Sequence, residues 1–494
     1  MSEQNFPHLN NSNNNIALTE GDKSYSFADV NQAIDKFATG LLNGSDDLNE
    51  ERIAFFIPAS VDYVTTMHGI WRAGGIAIPL NVASAVAELE HYLSCASVTR
   101  MIANGKYQES LRELCAEMNI ELLSVADVMA EEAGSLPVIL DERRAMMLFT
   151  SGTTNKPKGV VSTHKTIRAQ ITTLIKAWSW TDQDSIPLFL PVHHIHGIIN
   201  ILSCGLWAGA TVHLFSKFDI PKITAEIVAG TYNVFMAVPT IYVKLIQYFD
   251  TIDESEVKNI CNGFRAMRLN ISGSAACPVK LFNQWKELTG QVLLERYGMT
   301  EIGMGISNPY DGERRAGHVG QALPNVQARL FDEDNNPVTE ENTPGEIRIK
   351  GDNVFLEYWA NEKATKESFH DGWFCTGDVA VLDDGYYRIM GRSSIDIIKS
   401  GGYKLSALEI EGTLLTHDDV AECAVIGVED ETWGESVMAF IGLKAGASME
   451  YEDLKAWCNG KMSSYKIPKS IKIIDALPRN AMGKVTKPDL KKLL

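Results

Sequence analysis

The segment Thr150–Gly159 brings together groups that could bind a polyphosphate. It reads Thr-Ser-Gly-Thr-Thr-Asn-Lys-Pro-Lys-Gly, so hydroxyls, free backbone N–H groups and two ammonium groups occur within ten residues. A polyphosphate needs many donors and positive charge close by, and a short loop of this kind supplies both. No Gly-Lys-Ser/Thr ends the segment at the required spacing, so it is not a Walker loop. The alternative interpretation is a polar surface turn.

Three histidines occur within the segment Pro191–Gly197, at His193, His194 and His196. One interpretation is a zinc site. On a strand or turn these side chains diverge, however, and no cysteine or carboxylate cluster lies close in sequence. Neutral or cationic imidazoles that line a carboxylate pocket are therefore the favoured interpretation.

The stretch Leu293–Glu301 places a cation on an apolar face. If Val292–Tyr297 is a strand, Arg296 shares one face with apolar side chains and needs an anionic partner. That partner is either a ligand or an internal Asp or Glu, and both remain open. Tyr297 offers a flat face for a base, and Glu301 is a hard oxygen ligand suited to Mg²⁺.

Two later residues could also contact a nucleotide. Asp378 follows a predicted strand end and a glycine turn, where its carboxylate can accept hydrogen bonds from ribose hydroxyls; an Asx-type turn is the alternative. Lys484 lies in the loop Pro478–Val485. By itself this lysine would be interpreted as a solvated surface residue.

Bulk composition limits the class of protein. The 494 residues exceed a single core, so two or more domains are expected. The net charge of −18 argues against a nucleic-acid partner or an anionic membrane surface. Eight scattered cysteines suit a reducing compartment. No Arg-rich transit peptide or signal peptide is recognised before Lys23, so a cytoplasmic location is predicted.

One apolar stretch, Ser185–Ser216, contains no Lys, Arg, Asp or Glu. A membrane span is one interpretation, but prolines and glycines interrupt the stretch and three histidines lie inside it. A strand, a loop, a buried helix near Ile198–Trp207 and another strand fit better. No membrane span is predicted.

The elements predict an α/β fold. Repeated alternation of strands and helices up to about Gly320 indicates parallel sheets covered by helices. Short strands with turn residues then indicate a β-rich subdomain at about 320–391, with a hairpin turn at Asp383-Asp384-Gly385. We therefore predict a large N-terminal domain, 1–391, and a small C-terminal α+β domain, 392–494.

These stretches, in this order, resemble the acyl-adenylate-forming superfamily of acyl-CoA synthetases, luciferases and peptide-synthetase adenylation domains. The resemblance covers nearly the whole chain and implies Mg²⁺ as cofactor, with ATP and CoA as co-substrates. It implies that Tyr297 stacks on adenine, Thr300 touches the α-phosphate, and Lys484 bridges the carboxylate and the α-phosphate. The implied metal ligand is Glu301. The implied ATP-binding residues are Thr150, Ser151, Gly152, Thr153, Thr154, Lys158, Gly273, Ser274, Ala275, Tyr297, Asp378 and Arg392.

Within that superfamily, three motifs resemble malonyl-CoA and methylmalonyl-CoA synthetases: His193–Gly197, Arg296–Glu301 and Ser307–Gly312. The segments Ser393–Tyr403 and Trp433–Glu435 fit the same group. The resemblance implies that Arg296 meets the distal carboxylate of a diacid, with His194 and Ser274 beside it. Two departures stand out: Asn155 replaces a usual glycine, and Ser394 and Ile395 occupy the hinge where Lys or Asp is common.

The predicted reaction has two steps. A carboxylate attacks the α-phosphate of ATP to give an acyl adenylate and pyrophosphate, with Lys484, Thr300, Glu301 and His194 as catalytic residues. The C-terminal domain then rotates near Arg392 and brings in Gly401 and Gly402, and CoA displaces AMP. Malonate is the predicted acid, with methylmalonate next. The alternatives are a short or medium-chain monocarboxylate CoA ligase, an enzyme that loads a carrier protein, and a non-catalytic nucleotide-binding or scaffold protein.

Overall fold

The computed structural model describes residues 6–10, 13–150, 157–401, 403–479 and 485–494. Most of the predicted site residues lie within these ranges. The predicted residues that lie outside them are Ser151, Gly152, Thr153, Thr154, Gly402 and Lys484.

The first two thirds of the chain alternates strands with helices. The strands are β1 Ile16–Glu20, β2 Lys23–Ser26, β3 Arg52–Phe56, β4 Ile76–Pro79, β5 Arg100–Ala103, β6 Glu121–Leu123, β7 Arg144–Thr150, β8 Lys158–Thr163, β9 Ser185–Leu188, β10 Thr211–Leu214, β11 Val234–Ala237, β12 Leu269–Ser272, β13 Leu294–Met299, β14 Gly303–Ser307 and β15 Gln321–Ala322. The helices are α1 Pro7–Asn10, α2 Phe27–Leu42, α3 Val61–Arg72, α4 Val86–Ala96, α5 Gly105–Glu117, α6 Val125–Val128, α7 His164–Ala177, a π-helix His196–Ser203, α8 Cys204–Ala208, α9 Ile220–Val228, α10 Pro239–Phe249, α11 Glu254–Ala266 and α12 Val279–Thr289.

Helix α2 shows how local sequence produces these elements. Ser26 and Asp29 form a capping box, in which each side chain bonds the other residue's main-chain N–H group. Val30, Ile34 and Phe37 recur at helical spacing and are fully buried. The helix therefore begins at its polar cap and is held to the protein by one apolar face.

Three sheets form the α/β part. The seven-stranded sheet has the order β19-β8-β7-β4-β3-β5-β6, in which β19 is Glu357–Tyr358. Its strands from β7 to β6 run parallel, whereas β8 and β19 are antiparallel to their neighbours. A five-stranded sheet β11-β12-β13-β14-β15 is parallel through β13, and a four-stranded sheet has the order β2-β1-β10-β9. The predicted helix-covered parallel sheets are confirmed, with antiparallel strands added at their edges.

The uncharged stretch Ser185–Ser216 folds into several short elements. Strand β9, a loop, the π-helix His196–Ser203, helix α8 and strand β10 follow one another, as the proline and glycine pattern predicted. All residues of the π-helix are buried. The predicted helix is therefore present, but its first part has π rather than α geometry. No helix in the described part of the chain is long and apolar enough to cross a membrane.

The remaining residues form two further sheets, one of six strands and one of five. One contains β17-β16-β18-β21-β20 with β22 on β21, and the predicted turn joins β21 to β22 with positive φ at Asp384 and Gly385. The other contains β24-β23-β26-β25 with β27 on β26. The elements are β16 Gln327–Phe331, β17 Pro337–Val338, β18 Gly345–Lys350, α13 Glu362–Glu367, β20 Phe369–His370, β21 Trp373–Asp383, β22 Tyr386–Arg392, β23 Ile397–Ser400, β24 Tyr403–Ser406, α14 Ala407–Leu414, β25 Val420–Asp430, β26 Gly434–Leu443, α15 Tyr451–Cys458, β27 Ser470–Ile473 and α16 Lys487–Lys491.

The last sheet has its own apolar core. Ile398, Leu405, Val425 and Val437 pack there with Ile410 of α14. The chain thus has a larger N-terminal α/β part and a smaller C-terminal α+β part, as the fold class predicted. In open α/β sheets, ligands bind beyond the carboxyl ends of parallel strands. In the five-stranded sheet, that edge carries the residues that follow the parallel strands β12 and β13.

Candidate active site

Strands β12 and β13 run parallel and place two predicted segments side by side. Ser272 and Glu295 are register partners, so Gly273 lies next to Arg296. A Cβ atom at Gly273 would come within 2.4 Å of Cζ of Arg296. Only glycine therefore leaves room for the guanidinium at this position.

Arg296 is a buried cation, as its apolar strand face predicted. It is 5% exposed, and burial lowers its pKa to about 9, so it remains charged at neutral pH. Within the described residues, Nε and Nη2 have no hydrogen-bond partner, and no carboxylate forms an ion pair with the guanidinium. Buried donors of a charged group are costly to leave unpaired. Of the two open interpretations, the geometry therefore favours an external anion.

His196 lies on the same side of the site, at the start of the π-helix. Its Nδ1 is 3.1 Å from Oγ of Ser274, a residue with φ of +67°. Burial, together with the positive charges of Arg296 and His194, holds the pKa of His196 well below its ordinary value. The imidazole is therefore neutral, and its Nε2 is buried without a partner among the described residues.

The predicted histidine was His194, which is half-buried with its ring centre 4.2 Å from that of His193. Burial and the neighbouring His194 lower the pKa of His193 to about 3. The sequence placed His196 among the three histidines of a carboxylate pocket, but the specific role was assigned to His194. Ser274 lies 78 residues further along the chain, so only the fold brings it to His196. Among the described residues, no group of three potential ligands could hold a metal ion.

Tyr297 joins the five-stranded sheet to strand β21. Its hydroxyl donates to Oδ2 of Asp378 at 2.6 Å, and Nε of Arg392 lies 3.0 Å from Oδ1 of the same carboxylate. Burial raises the pKa of Asp378, and the Arg392 charge opposes that rise. The sequence had indicated that Asp378 follows a strand end, but in the structure it lies within β21. Gly377 beside it has φ of +73°, and the β21–β22 pairing shifts register after Val379, so the strand bends at this point.

Glu301 lies just beyond β13, next to the half-buried Thr300. The Glu301 carboxylate is buried and accepts a hydrogen bond of 2.9 Å from the hydroxyl of Tyr358. Burial raises the pKa of Glu301, whereas Tyr358, Arg392 and Lys158 favour its ionised form. A buried carboxylate with a neighbouring donor and nearby cations fits a hard metal ion carried by a polyphosphate. Tyr358 was not recognised from the sequence, because only the fold brings it to Glu301.

The ends of the predicted phosphate loop are adjacent. Thr150 and Lys158 are register partners of the antiparallel strands β7 and β8. Nζ of Lys158 lies 4.8 Å from the ring centre of Tyr358. The described ends of the loop thus place Lys158 beside the Glu301 carboxylate.

The flanks of Lys484 are well anchored. Arg479 and Val485 form an antiparallel bridge, and the N–H group of Thr486 donates to the oxygen of Pro478 at 2.9 Å. Lys487 is buried, with Nζ at 2.6 Å from Asp396 and 2.7 Å from Glu411. Elsewhere in this part, Gly401 donates to the main chain of Trp433.

Comparison with known families assigns the chain to one of them. The family model described as AMP-binding enzyme matches residues 7–359. A second family model, described as AMP-binding enzyme C-terminal domain, matches residues 409–484. The chain therefore belongs to the AMP-binding enzyme family. This confirms the resemblance that the ordered motifs indicated.

Individual relatives are similar over most of their length. The mitochondrial malonate–CoA ligase ACSF3 of Bos taurus is 41% identical and covers 91% of this chain and 82% of that protein. The malonate–CoA ligase of Arabidopsis thaliana is 37% identical and covers 99% of this chain and 88% of that protein. The crystal structure of ATP-bound MatB from Rhodopseudomonas palustris has a TM-score of 0.90 at 30% identity, covering 100% of this chain and 99% of MatB.

Proposed function

We propose that this protein is an ATP-dependent acid–CoA ligase that converts malonate to malonyl-CoA through a malonyl adenylate, with methylmalonate as the next best acid. The observation that carries the substrate assignment is Arg296, a buried cation with two donors, Nε and Nη2, that have no hydrogen-bond partner among the described residues. A monocarboxylate needs no such group. A dicarboxylate brings one carboxylate that pairs with the guanidinium while the other reacts.

In the first half-reaction the substrate carboxylate attacks the α-phosphate of ATP, and pyrophosphate leaves. Arg296, His196 and Ser274 would hold the distal carboxylate, with His194 at the reacting end. Tyr297 would stack on adenine, and Asp378 would accept from the ribose hydroxyls. No protein nucleophile is needed, because the substrate supplies it.

The developing negative charge would be met by donors of the Thr150–Lys158 loop, by Thr300 and by Lys484. Glu301 is the residue proposed to hold Mg²⁺, which, when bound with ATP, neutralises charge on the phosphates. The remaining residues of the proposed ATP site are Ser151, Gly152, Thr153, Thr154, Gly273, Ala275 and Arg392.

In the second half-reaction the thiolate of CoA attacks the acyl adenylate and AMP leaves. We propose that residues 392–494 form a C-terminal domain that rotates near Arg392 against residues 1–391, in which 320–391 are the β-rich subdomain. Rotation would remove Lys484 and bring in Gly401 and Gly402. The separate core of the last sheet supports such a movement.

We propose that the protein is located in the cytoplasm and takes part in fatty acid metabolism. Support comes from the cysteines, all eight of which are free thiols, as in a reducing compartment. The vertebrate relative is named as mitochondrial, which is also compatible with free thiols, so cell fractionation is the test.

The deciding experiment is a panel of carboxylic acids scored by AMP formation that depends on ATP and CoA. Malonate is expected to give the highest kcat/KM, with methylmalonate second and butyrate far lower. A preference for butyrate would favour a monocarboxylate ligase. Transfer to a carrier protein but not to CoA would favour a loading enzyme. Absence of pyrophosphate release with every acid would favour a non-catalytic nucleotide-binding protein.

A further inference from the structure

Tyr358 occupies a two-residue strand that is pinned to the end of the phosphate loop. In β19, Tyr358 pairs with Val160 of β8, and the N–H group of Trp359 donates to the oxygen of Gly159 at 2.8 Å. The tyrosine is only 8% exposed. Its side chain therefore has a defined direction and lies next to Lys158, the first residue of β8.

The same segment also holds Glu301. The phenolic hydroxyl donates to Oε1 of the carboxylate at 2.9 Å. The main-chain N–H group of Phe355 donates to the oxygen of Glu301 at 2.7 Å. Glu301 is thus fixed at both its backbone and its side chain, and one of its two carboxylate oxygens is oriented by a neutral donor.

Tyr358 contacts two opposite charges, one through its ring and the other through its hydroxyl. The ammonium of Lys158 lies 4.8 Å from the ring centre, within range of a cation–π contact. The Lys158 charge acts to lower the pKa of Glu301, yet among the residues the structure describes no ion pair within 4.0 Å joins the two. Without the ring, the two charges could pair with each other and compete with a ligand.

We propose that Tyr358 is a positioning residue, which orients Glu301 toward the metal of Mg²⁺·ATP and keeps Lys158 free for the phosphates. This inference rests on the proposed function, because it takes Glu301 as the metal ligand. A donor behind a metal-binding carboxylate is a known way to fix the orientation of the ligand and to raise metal affinity. One side chain thereby couples the metal site to the phosphate loop.

The test compares Tyr358→Phe with Tyr358→Leu. The first removes the hydroxyl and keeps the ring, whereas the second removes both. The control is Tyr387→Phe, which deletes another buried hydroxyl, bonded to the main-chain oxygen of Ala328 at 2.8 Å. Two ligands are used, both without malonate or CoA. Binding of Mn²⁺·ATP is measured by water-proton relaxation, and binding of metal-free ATP in EDTA is measured by calorimetry.

For Tyr358→Phe we expect binding of Mn²⁺·ATP to weaken by about tenfold or more, with ATP in EDTA within about twofold of the wild type. Tyr358→Leu is expected to weaken both, because Lys158 is released as well. The control variant is expected to change neither. Binding of Mn²⁺·ATP by Tyr358→Phe within about twofold of the wild type, or an equal loss for both forms of ATP, would overturn the inference.

Failure of the proposed function gives a different result. In that case the wild-type protein releases no pyrophosphate with malonate, whatever the binding of Mn²⁺·ATP by the variants. If the wild-type enzyme is active on malonate and Tyr358→Phe binds Mn²⁺·ATP as the wild type does, only the role of Tyr358 is overturned and the proposed function stands.

Discussion

The hydroxyl of Tyr297 donates a hydrogen bond of 2.6 Å to the carboxylate of Asp378, and this contact links two separate sheets. Tyr297 belongs to β13 of the five-stranded sheet, and Asp378 belongs to β21 of the β-rich sheet. The two residues proposed for adenine and for ribose therefore hold each other before any nucleotide arrives.

Tyr297→Phe is expected to weaken ATP binding by about tenfold, because a hydrogen bond to a carboxylate contributes about 1.5–3 kcal/mol. The KM for malonate is expected to change little. Tyr242→Phe serves as the control, since it removes a buried hydroxyl that bonds the main-chain oxygen of Ile271. Calorimetric titration with ATP measures the effect. Equal losses in the two variants would mean that the contact only stabilises the fold.

Arg296→Met keeps an apolar side chain of similar length and removes the charge. It is expected to lower kcat/KM for malonate by more than about tenfold relative to butyrate, since an unpaired buried carboxylate costs several kcal/mol. Steady-state rates of AMP formation with both acids provide the measurement. A similar loss with malonate and butyrate would show that Arg296 does not meet the distal carboxylate.

Lys484→Ala separates the two half-reactions. Pyrophosphate release from ATP and malonate is expected to be abolished, because the positive charge at the α-phosphate is lost. Thioester formation from supplied malonyl adenylate and CoA is expected to remain largely intact, because the proposed rotation removes Lys484 from the site. Loss of both half-reactions to the same extent would refute this assignment.

Lys487→Met is expected to destabilise the C-terminal part by about 3–5 kcal/mol, because it leaves Asp396 and Glu411 buried without their cation. The control is Lys492→Met, an exposed lysine that pairs with Asp489 at 2.6 Å and contributes little. Amide hydrogen exchange of residues 392–494, measured over a series of urea concentrations, compares the variants. Similar results for both variants would contradict the prediction that Lys487, paired with Asp396 and Glu411, stabilises the C-terminal part.

The buried carboxyl group of Glu295 is expected to make the free energy of unfolding depend on pH. Burial raises its pKa from 4.5 to about 8, although its Oε1 accepts from the N–H group of Gly317 at 3.2 Å. Between these values the folded protein binds more protons at this residue than the unfolded chain does. The free energy of unfolding contributed by this residue therefore falls as pH rises from about 4.5 to 8.

Glu295→Gln removes this titration and keeps an acceptor for Gly317. Its unfolding midpoint is expected to depend less steeply on pH over this window. Relative to the wild type, the free energy of unfolding of the variant is therefore expected to rise by a few kcal/mol as the pH approaches 8. Urea midpoints at several pH values measure the difference. Parallel pH profiles for the two proteins would contradict the raised pKa.

Much of the fold follows from local patterns that the sequence shows directly. Helix α2 has its capping box and apolar stripe, and the hairpin at Asp384 and Gly385 has its turn residues. The burial of Arg296 was predicted from its place on the same strand face as Leu294, although β13 is buried on both faces here, because Glu295 is buried as well. Such features depend on neighbours in the chain, so composition and spacing are enough to predict them.

The contacts between distant segments could not be predicted, because they depend on which strands become neighbours. Tyr358 meets Glu301 only because β19 adds to the edge of β8, and a two-residue strand has no recognisable pattern. His196 meets Ser274 because the start of the π-helix and the residues after β12 become neighbours in the fold, which side-chain periodicity does not reveal. Residue types and their order are local properties of the chain, whereas the distances and the burial that shift their pKa values arise only when the sheets pack together.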